Sequence, residues 1–450
     1  MKSNIEQHEN KKLDRQILSL ALPIFGQMII EPVMLTADTI VVGHILTTQD
    51  LAALTVGTNV CGAIVGIFIF IVVITNASVS RAFADGNKKS GLHIGLNNVW
   101  LAALLGTITA LLTYLFAPEI VKLFNVDSVV SAGAVSYIRA LVLGFPANMI
   151  IMAATGVLRG FKLVKIPLVV SIGGVVVNVP LNITFLTIGH MGICGSGLAT
   201  AIALNLMMAA LVFPLIRMAL KTKTKKRPNR RTMFSSVLEG IPIFLRTLAL
   251  WSAISFLAMF VGSYGAPAVA GLQAVDSVWY FAILILDSVS ESIISLISAE
   301  IGKCNFDKAK LILGRAILIG FHQGIVLGLI GIVMSFTVPP IFSPDAEVHK
   351  YITCGIFEGS FVLWYASFAF IIDGCLVAAK DTKFMALQTV VSAALYISAT
   401  LLLDPLLPKN PLGFLLLMST YDGVFLGSRA LLSLYRFRKD RWLKHSVNNC

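Results

Sequence analysis

The segment TGVLRGFKLVK, residues 155–165, has a counterpart 218 residues later in DGCLVAAKDTK, residues 373–383. The same offset relates LFNVD at 123–127 to IFSPD at 341–345. Each match is weak by itself, but one offset shared by separate segments indicates an internal duplication. The sequence therefore predicts two similar halves.

The composition places both halves in a membrane. Of the 450 residues, 57% are hydrophobic and 13% are charged, and the mean hydropathy is +0.85. Twelve apolar runs have about the 20-residue length that crosses a bilayer; they begin near residues 17, 51, 96, 132, 165, 195, 239, 268, 313, 351, 384 and 411. We predict an all-α integral membrane protein with twelve transmembrane helices in two pseudo-symmetric six-helix lobes.

Basic residues indicate the orientation of these helices. With the N-terminus in the cytoplasm, the basic loops all fall on the cytoplasmic side, while the opposite loops hold only Lys122, Lys350 and Lys409. This asymmetry follows the positive-inside rule and predicts that both termini are cytoplasmic. The net charge of +12 is spread over short loops, and no motif presents it to a nucleic-acid groove. We therefore expect no nucleic-acid partner.

The chain is predicted to contain five segments. They are a cytoplasmic N-terminal tail at 1–16, a first lobe at 17–219, a basic cytoplasmic linker at 220–235, a second lobe at 236–435 and a cytoplasmic C-terminal tail at 436–450. The linker includes KTKTKKRPNRR at 221–231, which we expect to face anionic lipid.

Asp38 lies toward the outer end of the first apolar run, in MLTADTIVVG. An ionised carboxylate there costs about 2.5 to 3.5 kcal/mol on insertion scales, so we expect it to titrate, pair or bind a cation. The directions of the spans place Asn178, Asn182 and Thr200 at the same depth. Their oxygens would suit Na⁺ at Asp38, the single metal candidate, or a carboxyl group that takes up a proton. A cluster that only ties helices together is the alternative.

Two prolines and a second acid accompany this cluster. Pro32 and Pro180 each remove a backbone hydrogen bond and are predicted to bend their helices. Glu31 precedes Asp38 by two helical turns on the same face. It is either a second, deeper proton-binding group or a protonated or water-facing residue beside the Pro32 bend.

The second half carries a different set of charged residues. Arg246 lies early in span 7, and Asp287 and Asp373 lie late in spans 8 and 10. All three are therefore predicted near the cytoplasmic side, where opposite charges lower the cost of keeping ionisable groups in a bundle. We interpret them as an inner gate, with a static ion pair as the alternative.

The sequence gives little support for an enzyme. It has no nucleotide-binding, metalloprotease or acyl-transfer motif, its six cysteines lack metal-ligand spacing, and its histidines are scattered. We predict no catalytic residues and no cofactor, with H⁺ or Na⁺ as the coupling ion.

Short motifs throughout the chain resemble the multidrug and toxic compound extrusion (MATE) family. They are ALPIFGQ at 21–27, ADTIVVGH at 37–44, TGVLRG at 155–160, NVPLN at 178–182 and GSGLATAIA at 195–203. The arginine in FLRTLAL and the acids in LDS at 286–288 and DGCL at 373–376 resemble its DinF-like branch. The resemblance implies two six-helix lobes and export of organic compounds, often cationic or amphipathic, driven by inward H⁺ or Na⁺.

In that branch the coupling residues are an acid in span 1, an asparagine and an acid in span 5, and a threonine in span 6. Asp38, Asn178 and Thr200 match in place, but Asn182 stands where the family usually has aspartate. The acid of span 7 in the Na⁺-coupled NorM-like branch has no counterpart near Leu250. These differences favour proton coupling, or altered coupling, over a Na⁺ site in the second half.

We therefore expect a secondary active antiporter of the cell (inner) membrane that exports small organic compounds by alternating access, contacts membrane lipid and functions as a monomer. Two alternatives stay open. A lipid-linked precursor flippase of the same superfamily would need several basic residues in its cleft, and by sequence only Arg246 and Arg139 lie well within the spans. A membrane-embedded enzyme would need convergent catalytic side chains.

Overall fold

The computed structural model describes residues 2–124, 126–224 and 227–443. All regular structure in these ranges is helical, because a helix satisfies its own backbone polar groups where a bilayer offers no water. Two residues of the predicted linker, 225 and 226, and the part of the predicted C-terminal tail from 444 lie outside the described residues.

The first half forms six long helices, and two of them contain a short 3₁₀ turn. The turns are Ile67–Ile69 in α2 and Val142–Gly144 in α4. The helices are α1 Lys2–Ile45, α2 Thr48–Ala84, α3 Lys88–Lys122, α4 Ser128–Gly160, α5 Lys165–Thr187 and α6 Gly192–Lys221.

The second half repeats this series. Its helices are α7 Arg230–Gly262, α8 Ala266–Gly302, α9 Phe306–Thr337, α10 Ala346–Ala378, α11 Thr382–Leu403 and α12 at 411–437. Short helices at Pro339–Phe342, Asp404–Leu406 and Arg438–Leu443 complete the described structure. Helix α12 has a π-helical segment, Tyr421–Leu426, between two α-helical pieces.

The predicted fold class is confirmed. Within the described ranges, eleven helices are long and apolar enough to cross a membrane, and α12 completes the series of twelve long helices. Helix α1 begins well before the first apolar run, so most of the predicted tail at 1–16 is helical.

The two halves repeat the same helix caps at the predicted offset. Asn87 Oδ1 caps α3 by accepting a backbone N–H at 2.9 Å, and Asn305 Oδ1 caps α9 in the same way at 3.2 Å. Asp127 and Asp345 cap α4 and α10 through their side chains. Such side-chain oxygens satisfy backbone donors that a helix start leaves free. The duplication thus extends to the ends of the helices.

Packing inside each half also follows the duplication. Ser80 Oγ donates to the carbonyl of Gly160, and Ser298 Oγ donates to that of Ala378, both at 3.4 Å. Each residue of the first pair lies 218 positions before its counterpart in the second. The same contact therefore joins α2 to α4 and α8 to α10.

One repeated contact exchanges its large and small partners. A Cβ added to Gly57 on α2 would lie 2.4 Å from the ring of Tyr137 on α4. At the equivalent positions, Val275 lies on α8, and a Cβ on Gly355 of α10 would come within 2.5 Å of it. Close packing requires a glycine in each pair, but the glycine occupies opposite helices in the two halves.

The contacts divide the chain into two compact units. The N-lobe is Pro23–Gly240, and the C-lobe holds the residues up to Leu22 together with those from Ile241 on. The divisions therefore fall inside α1 and α7. In the C-lobe unit, Arg315 on α9 holds the start of α1 by donating from Nε to Asp14 Oδ1 at 2.8 Å, and its Nη2 contacts the other carboxylate oxygen.

Candidate functional site

Asp38 lies at the centre of a buried polar cluster in the N-lobe, and only 1% of its surface is exposed. Its Oδ1 accepts a hydrogen bond from Asn182 Nδ2 at 2.8 Å. Its Oδ2 accepts one from Thr200 Oγ1 at 3.1 Å. Thr200 Oγ1 in turn accepts from Asn178 Nδ2 at 3.1 Å. The structure therefore brings together the four side chains that the sequence places at one depth.

Two neighbouring helices hold these partners through spacings of four residues. Asn178 and Asn182 lie one turn apart on α5, and both are fully buried. On α6, Ser196 and Thr200 lie one turn apart, and Ser196 Oγ accepts from Asn182 Nδ2 at 3.2 Å. Residues four apart share a helical face, so the two pairs face Asp38 on α1 as adjoining polar stripes.

Sequence reasoning missed two residues of this neighbourhood. Ser196 has a recognisable signal, because it precedes Thr200 by four residues in GSGLATAIA. Tyr137 on α4 is buried, and its hydroxyl is close enough to Asp38 for an electrostatic interaction. No spacing in the sequence links Tyr137 to α1, since the two helices are far apart along the chain.

The cluster retains oxygen atoms that could accept further bonds. Asn178 Oδ1 and Asn182 Oδ1 are both buried, and neither receives a hydrogen bond from the described residues. With the Asp38 carboxylate and two hydroxyl groups, they form a set of hard oxygens with one formal negative charge. Such a set suits a proton or a monovalent cation. No group of three His, Cys, Asp or Glu residues in the described ranges has metal-site spacing.

Both predicted bend positions share one local arrangement. Helix α1 stays helical through Pro32, and α5 through Pro180. The carbonyl of Pro32 accepts a hydrogen bond from the Thr36 hydroxyl at 2.8 Å, and that of Pro180 accepts one from Thr184 at 2.7 Å. A missing proline N–H and such back-bonding both promote helix bending.

Glu31 does not belong to the buried cluster. Its side chain is exposed, whereas Asp38 is almost fully enclosed. Two helical turns, about 10 Å, separate the two positions along α1. The hydrogen-bond donors of the cluster, Asn182 and Thr200, are therefore directed at Asp38.

Three positions of the C-lobe that correspond to residues of this cluster lie in a hydrophobic core. At the offset of 218, Asn178 corresponds to Tyr396 and Thr200 to Met418. In the first helices LPIF at 22–25 aligns with IPIF at 241–244, one residue further, so Asp38 corresponds to Leu257. Leu257, Tyr396 and Met418 all belong to one buried hydrophobic core. The polar cluster is therefore a feature of one lobe.

A second charged cluster lies inside the C-lobe. Arg246 Nη2 and Arg429 Nη2 each lie 2.5 Å from Asp373 Oδ2. Gln388 Nε2 donates to Asp373 Oδ1 at 3.3 Å. The predicted pairing of Arg246 with Asp373 thus occurs in the structure, while Asp287 lies half-buried on α8.

Arg429 is a buried arginine of the C-lobe that the sequence did not predict. The statement that only Arg246 and Arg139 lie well within the spans was wrong, because Arg429 is buried with 3% exposure. Arg429 lies in the last helix, shortly before a basic terminal stretch. It was therefore grouped with the charges that are expected near the membrane surface. Two arginines and one aspartate give this cluster a formal charge of +1.

The fold and the buried cluster define a duplicated twelve-helix membrane protein with a polar site in its first lobe. The MatE family model matches residues 23–184 and 242–402. The chain belongs to the MatE family. The two matched segments also reproduce the duplication, since they begin at equivalent prolines.

Individual relatives are distant. The chain is 24% identical over 392 residues to "Protein DETOXIFICATION 44, chloroplastic" of Arabidopsis thaliana, covering 84% of this chain and 75% of that protein. It is 23% identical over 379 residues to "Multidrug resistance protein MdtK" of Edwardsiella ictaluri (strain 93-146), covering 82% of each.

Solved structures support the same fold. The Vibrio cholerae MATE transporter VcmN in its bent form aligns with a TM-score of 0.86 at 16% identity, covering 97% of this chain and 98% of that one. A MOP superfamily transporter from Pyrococcus furiosus aligns with a TM-score of 0.81 at 16% identity, covering 97% and 96%. At this identity the likeness shows the fold alone.

Proposed function

We propose that this protein is a secondary active antiporter that exports organic compounds, cationic or amphipathic, in exchange for inward H⁺. The observation that carries the proposal is Asp38, an acid enclosed by hydrogen-bond donors in one lobe of a MatE fold. Relatives named as multidrug resistance proteins support an efflux role. The arginine and acid motifs of the second half support a place in the DinF-like branch.

The geometry around Asp38 favours a proton over Na⁺. Both carboxylate oxygens face donor hydrogens, from Asn182 and Thr200, and a bound cation would have to displace them. A proton requires only local reorientation, because a hydroxyl accepts as readily as it donates. Asn182 also has an unpaired Oδ1 that a rotated amide would present to a protonated carboxyl.

The transport cycle follows from this change in the hydrogen bonds of Asp38 when it takes up a proton. Protonation of Asp38 from the outside removes the charge that its donors stabilise, so α1 can repack beside Pro32 and the lobe changes conformation. Loss of the proton to the cytoplasm restores the charged cluster. Substrate and proton then compete, because each favours a different conformation. In this scheme the membrane is the cell (inner) membrane, both termini are cytoplasmic, and one chain suffices.

The ion pairs of the C-lobe fit the role of an inner gate. Arg246 is partly accessible, with 19% of its side chain exposed, while Asp373 and Arg429 are more enclosed. An ion pair with one accessible partner can open without exposing every charge at once. We assign Asp287, half-buried on α8, to the same gate.

Reconstituted protein tests the proposal. Movement of tetraphenylphosphonium into or out of proteoliposomes is measured under a pH gradient at equal Na⁺, and under a Na⁺ gradient at equal pH. We expect only the pH gradient to drive transport, and Asp38→Asn to lower the rate at least about tenfold, as loss of an essential ionisable group does. Asp404→Asn is the matched control, since Asp404 pairs with Lys409 outside both clusters. Full gradient-driven transport by Asp38→Asn would refute the assignment.

A lipid-linked precursor flippase is the second candidate. The net positive charge of Arg246, Arg429 and Asp373 favours it, because a pyrophosphate headgroup needs cationic partners. Flipping of a fluorescent pyrophosphate lipid without any pH gradient, and its loss in Arg246→Gln, would support this function.

A further inference from the structure

A groove in the N-lobe lies between α3, α4 and the start of α6. It has a volume of about 850 Å³, and the residues that line it include Tyr114, Ser131, Ser136, Arg139, Leu143 and Cys194. At this end of the lobe α3 ends at Lys122 and α4 begins at Ser128. The proposed topology therefore places the groove in the outer leaflet of the membrane.

Arg139 is the charged residue among those that line the groove, and it lies within a membrane-spanning helix. Its guanidinium carbon is 5.2 Å from the centre of the Tyr114 ring, which is a cation–π distance. Arg139 forms no ion pair with any described residue. Asp127, the nearest acid along the chain, accepts instead from the backbone N–H groups of Val129 and Val130. An arginine in a bilayer is costly without a counter-charge, so the groove presents a cation that lacks an anion.

The depth of Arg139 matches that of a lipid headgroup. Helix α4 has 33 residues and is therefore about 50 Å long, whereas the hydrocarbon core of a bilayer is about 30 Å thick. With the excess shared between both ends, Arg139, eleven residues after Ser128, has its Cα about 6 Å below the hydrocarbon boundary. A long basic side chain reaches such a boundary while its stem stays in apolar surroundings. The guanidinium can thus meet a headgroup phosphate.

Hydroxyl groups surround this cation. Ser128, Ser131 and Ser136 also line the groove, and their spacing places them with Arg139 on one broad face of α4. None of these three hydroxyls makes a hydrogen bond to another described residue. Serine hydroxyls and arginine N–H groups are donors, and the oxygens of a phosphate are strong acceptors. The groove therefore combines donors with a positive charge and supplies no acceptor for them.

Apolar side chains continue from the groove along both helices. Leu111 and Leu115 on α3, on either side of Tyr114 in sequence, are 59% and 56% exposed, and Leu143 on α4 is 59% exposed. Exposed apolar surface of this kind marks contact with lipid or with a partner. A free anion would leave it uncovered, whereas a phospholipid has a phosphate for the cation and acyl chains for the leucines. The surface therefore fits an amphiphile.

We propose that this groove binds a phospholipid, with the phosphodiester of the lipid on Arg139. The guanidinium donates to the phosphate oxygens, the serine hydroxyls donate to other headgroup oxygens, and the acyl chains lie on the exposed leucines. The outer leaflet follows from the proposed topology, while the site itself depends only on the membrane fold. Helices α4 and α6 also carry Tyr137 and Thr200 on their buried faces, so the lipid contacts helices that hold the Asp38 cluster.

Native mass spectrometry in a mild detergent measures this binding. Delipidated protein is titrated with dioleoylphosphatidylglycerol, and with dioleoylglycerol, which has the same acyl chains and no phosphate. We expect Arg139→Gln to bind the phospholipid at least about tenfold more weakly than the unaltered protein, because it loses a charge-assisted contact. Arg217→Gln is the matched control and should bind normally. It removes the same charge from an arginine that lies 4.9 Å from the Phe213 ring, near the opposite end of α6.

Ala132→Phe is a second variant that leaves Arg139 in place. Ala132 lines the groove and is exposed, so the added ring occupies the groove without disturbing the core of the lobe. We expect a loss of phospholipid binding similar to that of Arg139→Gln. Thermal unfolding in detergent shows that each variant is folded. Normal binding by either folded variant would overturn the site.

Cys194 reports where the lipid binds. Its thiol is free and lines the groove, so a lipid in the groove should slow its alkylation by N-ethylmaleimide. Cys354 is also free and partly buried, but it lies in the C-lobe and is the internal reference. Peptide mass spectrometry follows each cysteine separately. We expect the phospholipid, and not dioleoylglycerol, to slow alkylation at Cys194 alone; an unchanged rate at Cys194 would contradict the location.

Three further results would overturn the site. Equal losses in Arg139→Gln and Arg217→Gln would indicate a general effect of charge. Equal affinity for dioleoylglycerol would indicate a contact with acyl chains alone. Displacement of the phospholipid by glycerol 1-phosphate at comparable concentration would indicate a site for a free anion. None of these measurements depends on transport, so failure of the lipid site leaves the proposed antiport intact, and the converse also holds.

Discussion

Asn182 Nδ2 donates to Asp38 Oδ1 across 2.8 Å, and this bond joins α5 directly to the one acid of the N-lobe cluster. The family resemblance places aspartate at position 182, where it would be an acceptor and a second charge. With asparagine, the cluster has a single group to titrate and a donor already aimed at it. The identity of residue 182 therefore determines the charge of the site.

Asn182→Asp should convert the site to a pair of interacting acids. Two carboxylates at this distance repel when both are ionised, so they share a proton or a cation. We expect transport to remain coupled to protons at higher pH than in the unaltered protein, and to gain stimulation by Na⁺. Asn178→Asp is the comparison, since Asn178 contacts Thr200 and not Asp38 directly. Rates measured against pH, with and without Na⁺, provide the check.

Thr200→Val should shift the pH dependence of transport upward. The change removes the donor to Asp38 Oδ2 while conserving volume. A hydrogen bond to a charged group contributes about 1.5 kcal/mol, which corresponds to about one pH unit. Because the lost bond favoured the ionised acid, the midpoint should rise. Thr200→Ser keeps the hydroxyl and should keep the midpoint; an equal shift in both variants would contradict this explanation.

Asp373→Asn should strongly destabilise the C-lobe. It leaves the half-buried Arg246 and the buried Arg429 without a counter-charge, and breaking a buried ion pair costs about 3 to 5 kcal/mol. We expect a clear fall in the midpoint temperature of unfolding in detergent. Adding Arg429→Met removes one of the two unpaired charges and should recover part of the loss. No recovery would mean that the arginines do not repel each other as the geometry indicates.

Gly57→Ala should destabilise the N-lobe through overpacking. The new methyl group would lie 2.4 Å from the Tyr137 ring, and such insertions cost about 1 to 3 kcal/mol. Gly62→Ala on the same helix is the matched control, because nothing lies within 4 Å of the added carbon. Thermal unfolding of the two variants should differ in this order, and similar values would show that Tyr137 moves aside without cost.

The sequence predicted most of the fold because hydrophobicity, loop charge and a shared offset are each visible along the chain. It also predicted that Asp38, Asn178, Asn182 and Thr200 lie at one depth in the membrane. The direction of each span, together with the position of a residue in it, gives that depth. Depth in the membrane does not specify the direction in which a side chain projects from its helix. The electrostatic interaction of Tyr137 with Asp38 depends on how α4 and α1 pack, and no sequence pattern predicts it.

Two charged residues illustrate the same limit. Arg429 was missed because a basic segment follows it, so its charge resembled that of the membrane surface. Glu31 shares a helical face with Asp38 by spacing, yet it is exposed, because burial depends on which neighbours cover a position. Hydrophobic pattern reports the mean environment of a helix and not that of one side chain.

The compact units divide inside α1 and α7, so a gene cut at the basic linker would not encode the two units separately. A fragment that ends in the basic linker would carry the start of α1 without Arg315, its partner in the C-lobe unit. It would also lack the start of α7, whose Ser236 hydroxyl donates to Asn98 at 2.7 Å. Neither half-length product would hold a complete compact unit.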